Sequence, residues 1–175
     1  MRKFRLAATT GAAAIAVATV VSMPPAANAD TAVFVEPRGD APRHIDLTRA
    51  TIDNGDARPA KVLMRIRVRG TLHLGDHIAV YFNRNVANPG PELKLSSFVD
   101  SEFTLRRVNT WTGNGIPASC GDYALKQFAD NHGVRVRINR SCLDGPARVA
   151  IRTRSDDGQV DWFGPRRTFL PAVHA

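Results

Sequence analysis

The fold class this sequence predicts is all-β: an antiparallel two-sheet sandwich, jelly-roll or immunoglobulin-like, of about nine strands. Three observations carry the prediction. Apolar and cationic residues alternate with a period of two at several places along the chain. Turn signals recur at intervals of roughly 8–15 residues. No stretch of the mature chain shows a sustained helical period.

The clearest alternation is in Lys61–Arg69, KVLMRIRVR. Val62, Met64, Ile66 and Val68 form an apolar row, and Arg65, Arg67 and Arg69 stand on the opposite face. A helix would scatter these arginines around its circumference. A strand buries the apolar row and leaves the cations in water. Burying each of the four inward side chains contributes roughly 1.5–3 kcal/mol, which makes this the best anchored strand.

Before it, residues 1–29 read as a signal peptide. Arg2, Lys3 and Arg5 precede an apolar, alanine-rich run over Leu6–Val21, and Ala27-Asn28-Ala29 is a small-x-small cleavage site. The run is too short and too alanine-rich for a spanning helix. Cleavage after Ala29 predicts a secreted product with no membrane span. Neither a lipoprotein cysteine at the cleavage point nor an anchoring signal in Phe169–Ala175 is present. Residues 30–43 form an extended leader in which Val33 and Val35 suggest a short edge strand. Residues 44–175 form one domain.

Within that domain, Ile45–Asp53 is a strand of irregular phase that suggests a bulge, closed by the turn Asn54-Gly55-Asp56. After the strand at 61–69, His77–Asn83 places Ile78, Val80 and Phe82 on one face. Ala79 and Tyr81 are on the other, so both faces are expected to be partly covered. Residues 83–91, NRNVANPGP, cannot continue a strand. Glu92–Ser97 and Glu102–Val108 form a shorter pair, and residues 109–121 a long loop containing Trp111. Tyr123–Phe128 and Val134–Asn139 flank the hairpin turn Asp130-Asn131-His132-Gly133. Ala147–Arg154 repeats the apolar–cationic alternation. Trp162-Phe163-Gly164-Pro165 is an aromatic loop, and Arg167–Leu170 is the expected closing strand.

Strands of a sandwich usually run in alternate directions. Counting from 45–53, the loops at 54–60, 83–91, 109–121 and 140–146 share one end. This brings Cys120 and Cys142 together, sets Trp111 beside them, and sends Trp162 to the far end. Cys120 and Cys142 are the only cysteines, and in an oxidising compartment they are expected to form a structural disulfide.

The net charge is +8, carried almost wholly by arginine. A GC-rich genome produces that bias without selection for binding, so nucleic acid is not the expected partner. No nucleophile elbow, HExxH, phosphate loop or dinucleotide fingerprint is present, and no cofactor is expected. His73 and His77 flank Asp76, but i, i+4 ligands converge on a helix and this stretch is a loop entering a strand, so solvent-exposed histidines are the expectation. Asn83, Asn85, Asn88 and Glu92, and separately Asp156, Asp157 and Asp161, offer calcium-type oxygens. In both cases a polar turn is the simpler reading. Trp111, in its glycine-containing loop, either presents a platform for a sugar ring or folds back to plug the open end of the core. Tyr81 extends such a platform if it is exposed.

The Ile45–Asn54 strand with its Asp46, Tyr81-Phe82-Asn83, Asn88-Pro89-Gly90-Pro91-Glu92, Leu105-Arg106-Arg107-Val108 before Trp111, Cys120-Gly121, Arg140-Ser141-Cys142-Leu143 and Asp161-Trp162 occur here in one order. In that order the chain resembles a group of small secreted actinobacterial β-proteins over most of residues 45–171. More distantly it is similar to DOMON-like and carbohydrate-binding-module-like sandwiches. The resemblance implies the fold and secretion, and it carries no catalytic residue. Where the wider pattern has acidic residues, Asn83 and Asn85 stand.

The functional expectation is a monomeric, secreted, non-enzymatic binding domain for an extracellular glycan or cell-wall polymer. Its candidate ligand residues are Trp111, Tyr81, Asn83, Asn85 and Glu92, with no metal site and no catalytic residue. The alternatives are an extracellular hydrolase built on scattered carboxylates and a basic polyanion-binding protein.

Overall fold

The computed structural model describes residues 31–37, 39–54, 61–85, 87–143 and 148–171. The signal segment, Gly55-Asp56 of the first turn and residues 172–175 lie outside the described residues. In chain order the strands are β1 (Thr31–Val35), β2 (Leu47–Asp53), β3 (Lys61–Val68), β4 (His77–Asn83), β5 (Leu93–Phe98), β6 (Phe103–Arg107), β7 (Ile116–Pro117), β8 (Tyr123–Gln127), β9 (Gly133–Asn139), β10 (Arg148–Arg154) and β11 (Val160–Trp162). They form two antiparallel sheets, ordered β1-β2-β3-β9-β8 and β11-β10-β4-β5-β6-β7.

The period of two in β3 does what its chemistry dictates. Val62, Met64, Ile66 and Val68 are buried between the sheets, and Leu63, Arg65 and Arg67 face outward. On β9, Val134, Val136 and Ile138 continue that row; on the opposing sheet Ile78, Val80, Phe82, Leu93, Leu95, Val149 and Ile151 close over it. The irregular phase of β2 is a register shift between Leu47 and Arg49. The β8–β9 turn holds Asn131 at φ 54 and Gly133 at φ 146, where a side-chain Cβ would come within 2.0 Å of Ile66 O. Only glycine fits that approach.

Among the described residues eleven strands replace the expected nine. β1 and β7 add short edges. The closing strand expected at Arg167–Leu170 is not a strand. Val160–Trp162 pairs with β10 instead, and Pro165 and Arg167 (φ 59) turn the chain away before Leu170 returns to Val149 O with one hydrogen bond, 2.7 Å. Cys120 and Cys142 are bonded, as expected.

The expected separation of the two tryptophans is overturned. Their rings meet at 5.4 Å. Trp162 lies opposite Arg152, on the outer face of the second sheet. The loop after β6 does not stay at its end of the sandwich. It folds back across that same face, and Trp111 packs against Tyr81, Trp162 and Phe169. Trp111 is therefore not beside the disulfide and does not plug the core. It caps a second apolar cluster of Ala79, Tyr81, Ala150 and Trp162, outside the sandwich. This is why β4 is covered on both faces.

Candidate functional site: a cationic trench on the second sheet

Strand alternation turns His77, Ala79 and Tyr81 of β4 outward, and the same rule applies to the strands beside it. The register aligns Arg154, His77 and Phe98 in one row, Arg152, Ala79, Ser96 and Thr104 in the next, and Ala150, Tyr81, Lys94 and Arg106 in a third. Small residues in the middle row leave a trench. The cleft over these rows has a volume of about 750 Å³. Trp111 walls one end and Phe98, 47% exposed, marks the other. The His77 and Tyr81 rows are four residues apart along β4, roughly 13 Å at the rise of a strand.

Four cations line the trench: Lys94, Arg106, Arg152 and Arg154. Among the described lining residues the one carboxylate is Glu102. Two of the cations also hold the Trp111 loop. Lys94 Nζ donates to Gly113 O at 3.3 Å, and Arg106 Nη1 donates to Asn114 O at 3.4 Å and Gly115 O at 3.3 Å. The Arg152 guanidinium lies 5.9 Å from the Tyr81 ring and 5.8 Å from the Trp162 ring, within cation–π range.

The titration of these groups shows the cost of crowding. Burial, then Arg152 and Arg106, lowers the pKa of Lys94. Burial, then Arg152, Arg154 and Lys94, lowers His77 to about 4. Burial lowers Arg152, although Tyr81 opposes the shift. Each shift has the sign expected where positive charge is concentrated and partly dehydrated.

The residues expected to bind ligand do not share one site. Tyr81 is fully buried beneath Trp111 and Arg152, so it supports the trench wall and is not itself an exposed platform. Trp111 is half-buried at the wall. Asn83, Asn85 and Glu92 are at the β4–β5 connection and do not line the trench. They are wired to their own loop. Asn83 Nδ2 donates to Asn88 O at 2.7 Å, and Asn85 Oδ1 accepts from Ala87 N–H at 3.0 Å. Glu92 accepts from Arg84 N–H at 2.6 Å and from Asn88 Nδ2 at 3.0 Å.

The two loop histidines separate. His77 faces the trench, while His73 is exposed and stacks on His44 with centroids 4.3 Å apart. His44 Nε2 lies 3.6 Å from Asp76 Oδ1, and these three side chains offer ligand atoms within 4.8 Å of one another. The expected grouping of Asp161 with Asp156 and Asp157 also divides. The latter two are exposed in a turn, and Asp161 is buried between the sheets.

The outward phase of β5, β6 and β10 could have flagged Lys94, Arg106, Arg152 and Phe98 in the sequence. Placing them on one surface requires the order β10-β4-β5-β6, which local pattern does not contain. No protein-family model, curated protein or solved structure matches the chain.

Proposed function

We propose that this protein is a secreted, non-enzymatic binding domain whose trench takes an extended anionic glycan or cell-wall polymer. One observation carries the reading: four cations and two accessible aromatic rings line an open cleft that holds a single carboxylate. Positive charge that nearby carboxylates do not offset gains most from an acidic ligand, and partly exposed rings offer flat apolar contact to sugar faces. The disulfide, and the absence of any helix among the described residues long and apolar enough to cross a membrane, fit an extracellular setting.

The hydrolase alternative needs two carboxylates flanking a substrate bond. The trench supplies Glu102 alone, and the clustered carboxylates elsewhere are largely buried at the seam between the sheets. The test is co-sedimentation of the mature protein with insoluble acidic cell-wall polymer. Retention is expected to fall at least fivefold in Phe98→Ala. Equal retention of the two proteins, or none by either, would count against the proposal.

A further inference from the structure

At the end of the sandwich opposite the disulfide, four carboxylates from separate stretches of chain converge. Glu36 follows β1, Asp40 is in the segment leading to β2, Asp46 immediately precedes β2, and Asp161 is in β11. Asp161 shares the inward phase of Thr153, so it reaches across from the second sheet to the first. There its Oδ2 accepts from Leu47 N–H at 2.6 Å. The carboxylates are neither a surface patch nor a turn. Asp46 is fully buried, Asp161 is 4% exposed and Glu36 is 8% exposed. Asp40 alone is open to water.

Their hydrogen bonds leave oxygens over. Asp46 Oδ2 accepts from Gly39 N–H at 2.9 Å and lies 3.6 Å from Arg69 Nη1, but Asp46 Oδ1 is buried with no partner. Glu36 Oε1 accepts from Gly164 N–H, and Glu36 Oε2 is likewise buried with no partner. A charged acceptor left dry and unpaired is among the least favourable arrangements in a protein interior. Two of them within one acidic cluster point to a missing positive partner. Arg69 offsets one of the four formal charges.

We propose that Asp40, Asp46 and Asp161, with Glu36 close beside them, form a calcium site that fastens the β1–β2 edge of the first sheet to β11 of the second. The donor set is all oxygen, which selects a hard cation over zinc or copper. Asp40, Asp46 and Asp161 each offer a ligand atom, and these lie within 4.8 Å of one another. That proximity lets one ion bridge all three. Calcium accepts irregular geometry from backbone-tethered carboxylates, whereas magnesium demands a near-ideal octahedron. The site lies apart from the trench and shares none of its lining residues.

The test uses the mature protein, stripped with chelator and titrated at pH 7.5 with calcium chloride alone and with magnesium chloride alone. Calorimetry and thermal melting are the readouts. The expected result is one calcium per chain, a higher melting temperature, and at least tenfold weaker binding of magnesium. Asp40→Asn removes an exposed ligand and, because it also removes a repelling charge, should not lower the melting temperature of the stripped protein. It is expected to weaken calcium binding at least tenfold. Terbium replacing calcium should be sensitised by Trp162, the neighbour of Asp161. No saturable calcium binding by the wild type up to millimolar concentration would overturn the site, as would equal affinity in Asp40→Asn.

Discussion

The Tyr81 hydroxyl donates to the Trp111 carbonyl oxygen at 3.0 Å while the Trp111 ring lies across the Tyr81 ring at 5.3 Å. One side chain thus fixes both the backbone and the ring of the loop that walls the trench. Burial of Tyr81 raises its pKa, which keeps the hydroxyl protonated as this bond requires. The contact joins the fold to the candidate function, because the wall exists only while the 109–115 loop stays folded over the second sheet.

Tyr81→Phe keeps the ring and removes the donor. It is expected to cost about 1 kcal/mol in urea denaturation and to speed hydrogen exchange across residues 109–115. Trp111→Ala should cost more, about 2 kcal/mol, since the ring is half-buried. A fully buried aromatic would lose about 3–5 kcal/mol. Unchanged exchange in Tyr81→Phe would show that the loop is held by other contacts.

His77 should remain neutral well into the acid range. Its folded pKa of about 4, against 6.5 unfolded, follows from burial and from Arg152, Arg154 and Lys94. A lowered histidine contributes stability that is present above its unfolded pKa and is lost as pH falls toward the folded value. Proton NMR titration of the His77 ring is expected to give a midpoint near 4. Binding of an anionic ligand in the trench should raise that midpoint, because a nearby negative charge favours the imidazolium. A midpoint near 6.5 in the free protein would contradict the described burial.

The seam carboxylates work in the opposite direction. Burial, with Asp161, Asp40 and Asp46 nearby, raises Glu36 from 4.5 to about 7. Burial, with Asp40 and Asp46 nearby, raises Asp161 from 3.8 to about 6. Arg69 faces the cluster from β3's end and attenuates the repulsion. Raised carboxyl pKa values give stability that is full below the unfolded values and is lost as pH rises through the folded ones. In chelator-treated His77→Gln protein, which lacks the opposing histidine, the melting temperature should fall from pH 4.5 to 7.5. Millimolar calcium should abolish the fall. A flat profile without calcium would remove the electrostatic basis of this account.

Much of the fold was legible because strand alternation is local. Val62 to Val68 and Val134 to Ile138 announce an inner and an outer face wherever they occur in a sequence, and the His132-Gly133 turn announces its hairpin. The trench was less legible. Arg152 and Lys94 are 58 positions apart in the chain, and only the pairing of β4 with both β10 and β5 sets them on one surface. Trp111 departs from its expected place because the loop that carries it folds across the second sheet and does not stay at its own end of the sandwich. Asp161 is close to Asp156 and Asp157 in sequence, but the pleat of β11 turns it inward to Asp46 and Glu36.

The most direct test of the trench is a matched pair of charge reversals. Arg154→Glu changes an exposed cation in the trench, and Arg65→Glu makes the same change on the outer face of the first sheet. Net charge is identical in the two variants, so general attraction to a polyanion predicts equal loss. Co-sedimentation with acidic cell-wall polymer at physiological salt is expected to drop at least tenfold for Arg154→Glu and to change less than twofold for Arg65→Glu. Equal loss in both variants, or undiminished binding by Arg154→Glu, would contradict the assignment of ligand binding to this face.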